Sequence, residues 1–599
     1  MNLQPCDLTT LVAVCQELRR DWLPARLERV IQTDKHHLYL GLRTWERRGW
    51  LLLSWHPQAA RLHQSDGPPD MPDTFTFSQQ LWHQLGQLAL TDLRLLDPWE
   101  RVVDFSFAPR PGDAPRWHLY LEVMGRYSNA ILTQADGTIV TCAHQVSPQE
   151  SRVRPLQTGT LYQPPPALTQ TIPRWDEPFE QWQQRLNLLP IPLHRALLEN
   201  YRGLSVKLVR EMGAQLHLDP ATPVQHLTPE QWQHLWDLWQ TWLRALRDGQ
   251  FAPGLTDQGY TVLGWGVTQP FPSVSQVLQQ YYHQHLTAQA LQHQRQHLQQ
   301  KLRHQQQKLQ QKIQIFQDKL KEVTQAETYR QRADLLMAHL HCWSPGMTEV
   351  QVPDFVTNTL ITIPIAPDKT ALQTAQDLYK QYQKLKRAKA TVEPLLEEIK
   401  TQIAYLEAIE TQVEQLEAAT PENALALLSE IYSELAQQGY DWQPATYRPR
   451  GRSTAIPFLT FTSPGGYPIY VGRNNRQNEA LTFTYAGDYD WWFHAQEIPG
   501  SHVLLRLPAG APLEEADMQA AADIAAYYSR SRHSQQVPVV YTRARYVQRL
   551  KGYPPGTVQY RHEQVTWGYP AQAPITQSTW QYPQQQQSQR QPRQKAPAG

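Results

Sequence analysis

The stretch Leu378-Tyr-Lys-Gln-Tyr-Gln-Lys-Leu385-Lys-Arg-Ala-Lys-Ala-Thr-Val392-Glu-Pro-Leu-Leu396-Glu-Glu-Ile399-Lys-Thr-Gln-Ile403-Ala-Tyr-Leu406-Glu-Ala-Ile-Glu-Thr-Gln-Val413 decides how the chain is organised. Leu378, Leu385, Val392, Ile399, Leu406 and Val413 recur every seven residues, joined by Leu396 and Ile403. An apolar residue every 3.5 positions keeps one stripe of a helix facing a partner helix, which is the coiled-coil pattern. Upstream, Leu302, Leu309, Phe316 and Val323 form a second column, with Ile313 and Leu320 at the complementary spacing. Each arm is about 45 residues, roughly 70 Å at 1.5 Å per residue. Between the arms, Trp343 to Pro367 carries Pro and Gly turn signals and two strand-like runs, Thr348–Val352 and Thr359–Ile365. Residues 280–420 are therefore expected to form an antiparallel coiled-coil hairpin with a small β-containing tip at about 343–367. A parallel homodimer of either arm is the alternative.

Outward from the hairpin the pattern changes. Residues 1–170 read as an α/β domain. Leu8–Arg20 and Phe77–Leu90 have helical spacing, whereas Arg26–Leu42, Trp50–Trp55, Arg101–Phe107, Trp117–Val123 and Ala130–Thr133 read as strands. Residues 175–260 read as a small helical unit. In it, Leu193–Tyr201 and Val206–Met212 are joined through Arg202-Gly203-Leu204-Ser205, with Gly203 for a tight turn and Ser205 as a helix cap. This is either a helix-hairpin-helix, whose backbone N–H groups face phosphate, or an ordinary αα-hairpin. Residues 440–570 read as a second α/β domain, with strands at Phe458–Thr462, Tyr467–Val471, Leu481–Tyr485, Val503–Leu507 and Val537–Thr542, and a helix at Asp517–Tyr528. The Gln, Pro and Arg of residues 571–599 predict a disordered tail. The expected fold class is multidomain α+β.

With 599 residues the chain exceeds a single core, and its net charge of +1 excludes no partner. Charge is uneven, however: from Gly439 onward there are sixteen Lys/Arg against ten Asp/Glu, which favours a polyanion. The four cysteines, Cys6, Cys15, Cys142 and Cys342, form no CxxC pair, so neither a disulfide framework nor a zinc knuckle is indicated. No apolar run nears the roughly 20 residues that span a bilayer, and the first residues lack a signal-peptide pattern. A cytoplasmic protein without membrane contact is expected.

Three groups of residues stand out. The first is Asp488-Tyr-Asp490-Trp491-Trp492-Phe493-His494, followed by Pro499-Gly-Ser501-His502 and preceded by Gly472-Arg473-Asn474-Asn475-Arg476-Gln-Asn478. Guanidinium and amide groups suit phosphates and base edges, and aromatic rings suit base stacking. Arg473, Asn474, Arg476, Asp490, Trp491, His494, Ser501 and His502 are thus candidate RNA contacts. The serine, histidines and aspartate also suggest a hydrolase, but Pro499-Gly-Ser-His does not fit a GxSxG elbow. Nor do the histidines have a ligand spacing such as HExxH, so neither catalysis nor a metal or other cofactor is expected. Trp491, Trp492 and Phe493 cannot all lie on one side of a strand, so at least one should enter the core. The second group, Arg126, Ser128 and Asn129, follows Glu122-Val-Met-Gly125 in a turn between two strands. The third is Glu100-Arg101 at the start of a strand.

Together these segments resemble the NFACT family. Glu122 to Leu132 resembles its N-terminal signature; Gly472 to Asn478 and Asp490 to His502 resemble its C-terminal RNA-binding domain. Tyr329-Arg330 through Asp354-Phe355 and Tyr379 to Lys386 resemble its middle region. The bacterial branch of that family is that of the RqcH proteins, related to eukaryotic NEMF and long labelled fibronectin-binding. The resemblance implies a non-enzymatic ribosome quality-control factor. Such a factor binds large (50S) subunits obstructed by peptidyl-tRNA, recruits alanyl-tRNA and promotes untemplated alanine tailing. A small tRNA-stabilising factor of the RqcP type is an implied partner. By the same resemblance Glu100, Arg101, Arg126, Ser128 and Asn129 are candidate tRNA contacts. Two departures bear on tailing: Glu100 stands where the family has Asp, and Leu81-Trp82-His83 replaces a Leu-Arg-Lys stretch. The N-terminal domain is also similar in fold to that of formamidopyrimidine-DNA glycosylases, but Met1-Asn2 replaces their N-terminal proline nucleophile. The rival readings are a sensor of obstructed subunits without efficient tailing and a surface fibronectin-binding adhesin. If Arg473 and Arg476 meet phosphates, replacing either by Ala should weaken RNA binding and flatten its salt dependence by about one unit of slope, measured by titration at several salt concentrations.

Overall fold

The structure, a computed structural model, describes every residue except 1–2, 167, 220, 356, 358, 444–457, 509, 576–578 and 582–599. The chain divides into two compact units, Met1–Leu286 and Thr287–Gly599.

The first unit opens with α1 (Leu8–Trp22), whose first turn is capped by Asp7 accepting from Thr10 N at 2.9 Å. Four strands follow: β1 (Ala25–Gln32), β2 (His37–Arg43), β3 (Arg48–Ser54) and β4 (Arg61–Ser65). Then come α2 (Thr76–Leu85), β5 (Ala89–Leu95), β6 (Val102–Ala108), β7 (Trp117–Glu122), β8 (Asn129–Gln134) and β9 (Ile139–Cys142). The nine strands pair antiparallel in the order β4-β3-β2-β1-β5-β6-β7-β8-β9, and α1 and α2 share one core with them. The expected single helix over 77–90 is shorter. Gly86 ends α2, Gln87 takes a left-handed φ of 69°, and β5 begins at Ala89.

Four helices form the next layer: α3 (Phe179–Leu186), α4 (Leu193–Asn200), α5 (Val206–Gln215) and α6 (Pro229–Asp248). Their core is built on tryptophan. Trp232, Trp239 and Trp242 recur at helical spacing along α6 and bury against Trp182 of α3. Gly203 has φ +78°, and a Cβ there would lie 2.7 Å from Leu8 and 2.8 Å from Trp99, so the α4–α5 turn admits only glycine. Ser205 then caps α5, accepting from Leu208 N at 3.0 Å. A small sheet of β10 (Gly254–Thr256), β11 (Gly259–Thr261) and β12 (Gln269–Pro270) completes this unit.

The hairpin comprises α7 (Val274–Thr324), α8 (Ala326–Ala338), the strands β13 (Glu349–Pro353) and β14 (Leu360–Pro364), and α9 (Ala371–Glu414). Leu302 and Leu309 bury with Leu406 and Val413, while Leu335 and Leu336 bury with Ala371 and Ala375. Ascending numbers thus meet descending ones, and the arms run antiparallel within one chain. Pro394 lies inside α9 at the cost of one backbone hydrogen bond, and the helix continues past it.

At the root of the hairpin, α10 (Pro421–Gln437) packs on α9. The second sheet has the order β22-β19-β17-β18-β16-β15-β23, antiparallel throughout. Its strands are β15 (Phe458–Thr462), β16 (Pro468–Val471), β17 (Trp491–Ala495), β18 (Val503–Leu505), β19 (Val537–Arg543), β22 (Gln564–Gly568) and β23 (Thr579–Gln581); α11 (Asn475–Ala480) and α12 (Glu515–Tyr527) accompany them. A separate ribbon pairs β20 (Val547–Arg549) with β21 (Val558–Tyr560). Along β17, Trp492 enters one core and Phe493 the opposite one, as strand alternation requires.

Two expectations are corrected here. Leu481–Tyr485 is one π-helical turn continuing α11 rather than a strand, because Asn474 caps α11 and Leu481 is drawn into the Trp492 core. The tail expected to be disordered from 571 instead supplies β23, whose backbone completes the ladder on β15; residues 582–599 lie outside the described set. Among the described residues no helix is long and apolar enough to cross a membrane.

Glu434 of α10 is 1 % exposed and accepts from Tyr405 Oη at 3.1 Å and Asn475 Nδ2 at 2.9 Å. Burial pushes its carboxyl up to about 7, against the pull of those two donors. The protonated form therefore favours the fold: its contribution is full below the unfolded carboxyl range and is lost as pH rises through 7. Glu434→Gln, which stays neutral, should raise the melting temperature at pH 8 by a few degrees and by much less at pH 5, as followed by thermal unfolding across that range.

Candidate nucleic-acid interface

The β5–β6 connection is a tight turn. Asp97 accepts from Trp99 N at 2.7 Å, and Glu100 N donates to Asp97 O at 3.1 Å. This leaves Glu100 and Arg101 at the mouth of β6, beside a cavity of about 870 Å³. One wall is Trp99, Glu100, Arg101 and Met124; another is the first turns of α5, with Ser205, Lys207, Arg210 and Glu211. Asp257 and Trp265 contribute a third side. Arg202 Nη2 donates to Glu100 Oε1 at 2.7 Å, with both side chains largely buried. Burial raises the Glu100 carboxyl and the Arg202 charge opposes that shift. Deeper in, burial pushes Glu211 up to about 7, moderated by Lys207 at 3.0 Å. The cavity thus combines apolar indole walls, three cationic side chains and four acids, Asp7, Glu100, Asp257 and Glu211, of which Glu211 is pushed up to about 7. Such a site can hold a partly apolar group that presents both hydrogen-bond donors and acceptors.

The turn after β7 separates its expected residues. Arg126 is exposed, with its guanidinium 4.7 Å over the Tyr127 ring. Ser128 and Asn129 are buried and shape the loop instead. Ser128 Oγ accepts from Met124 N at 2.8 Å; Asn129 Nδ2 donates to His144 O at 2.7 Å, and its Oδ1 accepts from His144 N at 3.0 Å. As the tRNA contacts expected of them, these two are corrected by burial. Glu122, just before them, is fully buried against Arg154 and Tyr162.

Burial corrects the C-terminal group more extensively. Arg473 is 1 % exposed; its Nη2 donates to Gln415 O at 2.6 Å, and its guanidinium lies 4.7 Å over the Tyr528 ring. It therefore caps the carbonyl end of α9, the negative end of a helix dipole, and does not face solvent. Asn474 donates to Glu430 Oε2 at 2.5 Å and accepts from Gln477 N at 2.8 Å. Asp490 is buried and closes its own turn, accepting from Gly487 N at 2.8 Å and from Arg506 Nε at 3.1 Å. Ser501 is buried, and its N–H donates to Tyr528 O at 2.9 Å. His502 is buried, with Nδ1 at 2.7 Å from Thr482 Oγ1, and its ring stands edge-on to His494 at 5.5 Å. Burial pulls His494 down to about 4 and His502 well below its usual value, so neither carries fixed charge near pH 7. Arg476 and Trp491, each half-buried, are the members of this group that keep access to solvent alongside His494.

A surface absent from the sequence reading lies at the end of β19. Thr542 to His562 contains five Lys/Arg and no acid, a signal diluted when charge was counted over the whole C-terminal half. There Arg543 stacks 3.9 Å over Trp491, and Arg545 lies 5.2 Å from the Tyr489 ring and 4.7 Å from the Tyr546 ring.

The model of the NFACT N-terminal and middle domains matches residues 7–453, and that of the NFACT protein RNA binding domain matches residues 457–562. A Streptococcus suis protein named Rqc2 homolog RqcH is 29% identical over 561 residues, covering 92% of this chain and 95% of the relative. Its namesake from Bacillus subtilis is 28% identical over 575 residues, covering 92% and 96%. Among solved structures, the C-terminal part of the fibronectin/fibrinogen-binding protein from Streptococcus suis aligns at 29% identity with a TM-score of 0.36, covering 47% of this chain and 95% of that one. The N-terminal part aligns at 23% identity with a TM-score of 0.38, covering 46% and 98%.

Because Arg473 is a cap, Arg473→Ala should leave the salt dependence of RNA binding unchanged. It should destabilise the fold by about 2–3 kcal/mol, the cost of stranding buried partners of a charged group; denaturant unfolding measures the second effect and salt titration the first.

Proposed function

Because the chain belongs to the NFACT family, we propose that it is a ribosome-associated quality-control factor that binds obstructed large (50S) subunits and promotes alanine tailing of their stalled chains. The observation that carries this reading is the run of two family domains, in order, over residues 7–453 and 457–562, in a chain whose full-length relatives are named Rqc2 homolog RqcH. In this reading the protein is cytoplasmic and is not itself an enzyme. Peptide-bond chemistry stays with the ribosome, while the factor grips peptidyl-tRNA and delivers alanyl-tRNA. Arg101, at the mouth of the 870 Å³ cavity, is the candidate tRNA contact, and Arg126 is a second, exposed one. A small RqcP-like factor that stabilises the tRNA belongs to the same scheme. The coiled-coil hairpin suits a strut, because paired helices hold two ends at a fixed separation.

One observation favours a second reading, a sensor that holds obstructed subunits without efficient tailing. Glu100 stands where the family has Asp, and its carboxylate is engaged by Arg202 at 2.7 Å rather than free for a ligand. Affinity purification of the tagged protein from growing cells, with sequencing of bound RNA, separates the readings. Large-subunit rRNA with enriched alanine tRNA is the expected result. Large-subunit rRNA without selective tRNA supports the sensor, and the absence of ribosomal RNA overturns both. Arg101→Ala should lower the co-purified tRNA severalfold while leaving the rRNA unchanged.

A further inference from the structure

The C-terminal domain turns its most conspicuous residues inward, so its ligand-facing surface has to be sought elsewhere. The outer end of β19 offers one. Tyr489 is 67% exposed on the turn before β17. The buried Asp490 carboxylate holds that turn from Gly487 N and Arg506, and Asp490 O accepts from Ala544 N at 2.9 Å. Arg543 donates to the Tyr489 carbonyl while its guanidinium covers Trp491 at 3.9 Å. Arg545, exposed, lies against the Tyr489 and Tyr546 rings, and the His562 ring is 4.6 Å from Tyr546. Among the described residues neither Arg543 nor Arg545 has a carboxylate within salt-bridge distance, unlike Arg506 and Arg549, which are paired with Asp490 and Glu479. Partial burial and the neighbouring Arg545 lower the Arg543 pKa, and the Asp490 carboxylate opposes them from beyond salt-bridge distance. Asp488 is exposed within this turn, and its backbone O accepts from Arg545 N at 3.4 Å.

We propose that Tyr489, Trp491, Arg543, Arg545, Tyr546 and His562 form a stacking platform for unpaired nucleotides of RNA. The proposal rests on the RNA-binding reading of this domain and adds which surface and which form of RNA. Stacked guanidinium–ring pairs present flat, polarised faces of base size, and bases stack on such faces with little regard to sequence. Within a duplex the base faces are occupied by their neighbours, so a platform of rings selects loops, ends or single strands. Arg543 Nη1 donates to Tyr489 O and Arg545 Nη2 to Tyr546 Oη; the remaining guanidinium N–H groups are left to the phosphates flanking the stacked base. Asp490 acts here as a positioning residue, since its carboxylate fixes the turn that carries Tyr489 without touching the RNA.

The test is fluorescence anisotropy with the full chain, a labelled oligoadenylate of about 12 nucleotides, within the usual single-strand site sizes, and an RNA duplex of similar length. Tyr489→Ala should weaken oligoadenylate binding about tenfold, with duplex binding and the salt slope unchanged. Arg545→Ala should lower the single-strand salt slope by about 0.7, one phosphate's share. Trp567→Ala on β22, an exposed ring paired with no guanidinium among the described residues, should change neither. Both Tyr489 and Arg545 are exposed, so the variants should melt with the wild type. The proposal is overturned if Tyr489→Ala leaves oligoadenylate binding intact, weakens strand and duplex alike, or is matched by Trp567→Ala. It is also overturned if polyglutamate, an acidic-peptide probe, displaces the strand and itself loses affinity in Tyr489→Ala. Sedimentation of the same variants with large subunits is read in parallel: normal association with a failed stacking test removes the platform alone, whereas no association by the wild type removes the ribosomal reading.

Discussion

The carboxylates of Glu430 and Glu434 are the constraint on which the second unit turns. They are placed on one face of α10, next to the end of α9, Glu434 shielded from water and Glu430 half-buried. Such groups are tolerated only where donors reach them. The donors come from a distant part of the chain: Asn474 and Gln477 bond Glu430, Asn475 bonds Glu434, and Arg473 bonds the carbonyl of Gln415, the C-cap of α9. One short loop thus supplies the caps and counter-groups for the root of the hairpin. This explains why the loop is rich in amides: an amide donates without bringing a second charge that would itself need compensation. It also explains why α11 starts at Asn475, because Asn474 caps that helix with Oδ1 while donating to Glu430 with Nδ2.

That same loop shows where sequence reading reaches its limit. Heptads over 378–413 and 302–323 could be read because helix pairing depends on a local period, and the tip strands because alternation is local too. The antiparallel sense of the hairpin followed from the length of the intervening segment. Burial of Arg473, Asn474, Asp490 and His502 could not be read, since it arises from pairings tens of residues apart. A basic, amide-rich motif looks the same whether it caps a helix or binds phosphate. Leu481–Tyr485 failed for a related reason: its alternating Leu, Phe and Tyr fit a strand, and only the cap at Asn474 commits the chain to a helical turn. By contrast, the stretch 542–562 was legible in composition, with five cations and no acid, and was overlooked because charge was summed over too long a segment.

The first unit was legible to a similar depth. Gly203 and Ser205 announced the α4–α5 turn, and both act as their types suggest. What no local pattern contained was the meeting of that turn with the β5–β6 connection, where Arg202 reaches Glu100. The pair couples a helix-hairpin residue to a strand-start residue across roughly a hundred positions of chain. A carboxylate one methylene longer than aspartate extends further from β6, and here it ends on a guanidinium that is 6% exposed. Breaking such a pair strands a buried charge, so Glu100 is held by the fold as firmly as by any ligand.

The two candidate surfaces consequently recognise in different ways. The cavity beside Glu100 is concave and nearly balanced in charge, lined by Asp7, Glu100, Glu211 and Asp257 and by Arg101, Lys207 and Arg210. With Glu211 poised near 7, loss of its proton cancels one of those cations, so the field inside depends on conditions close to neutrality. The β19 surface is open, and its guanidiniums stay charged throughout that range. A concave site whose charge adjusts selects by shape and fit. A fixed cationic ladder of rings selects by the availability of unstacked bases. A factor that has to hold a structured RNA while tolerating different sequences would need both kinds of contact, and this chain carries the two candidate surfaces in separate units.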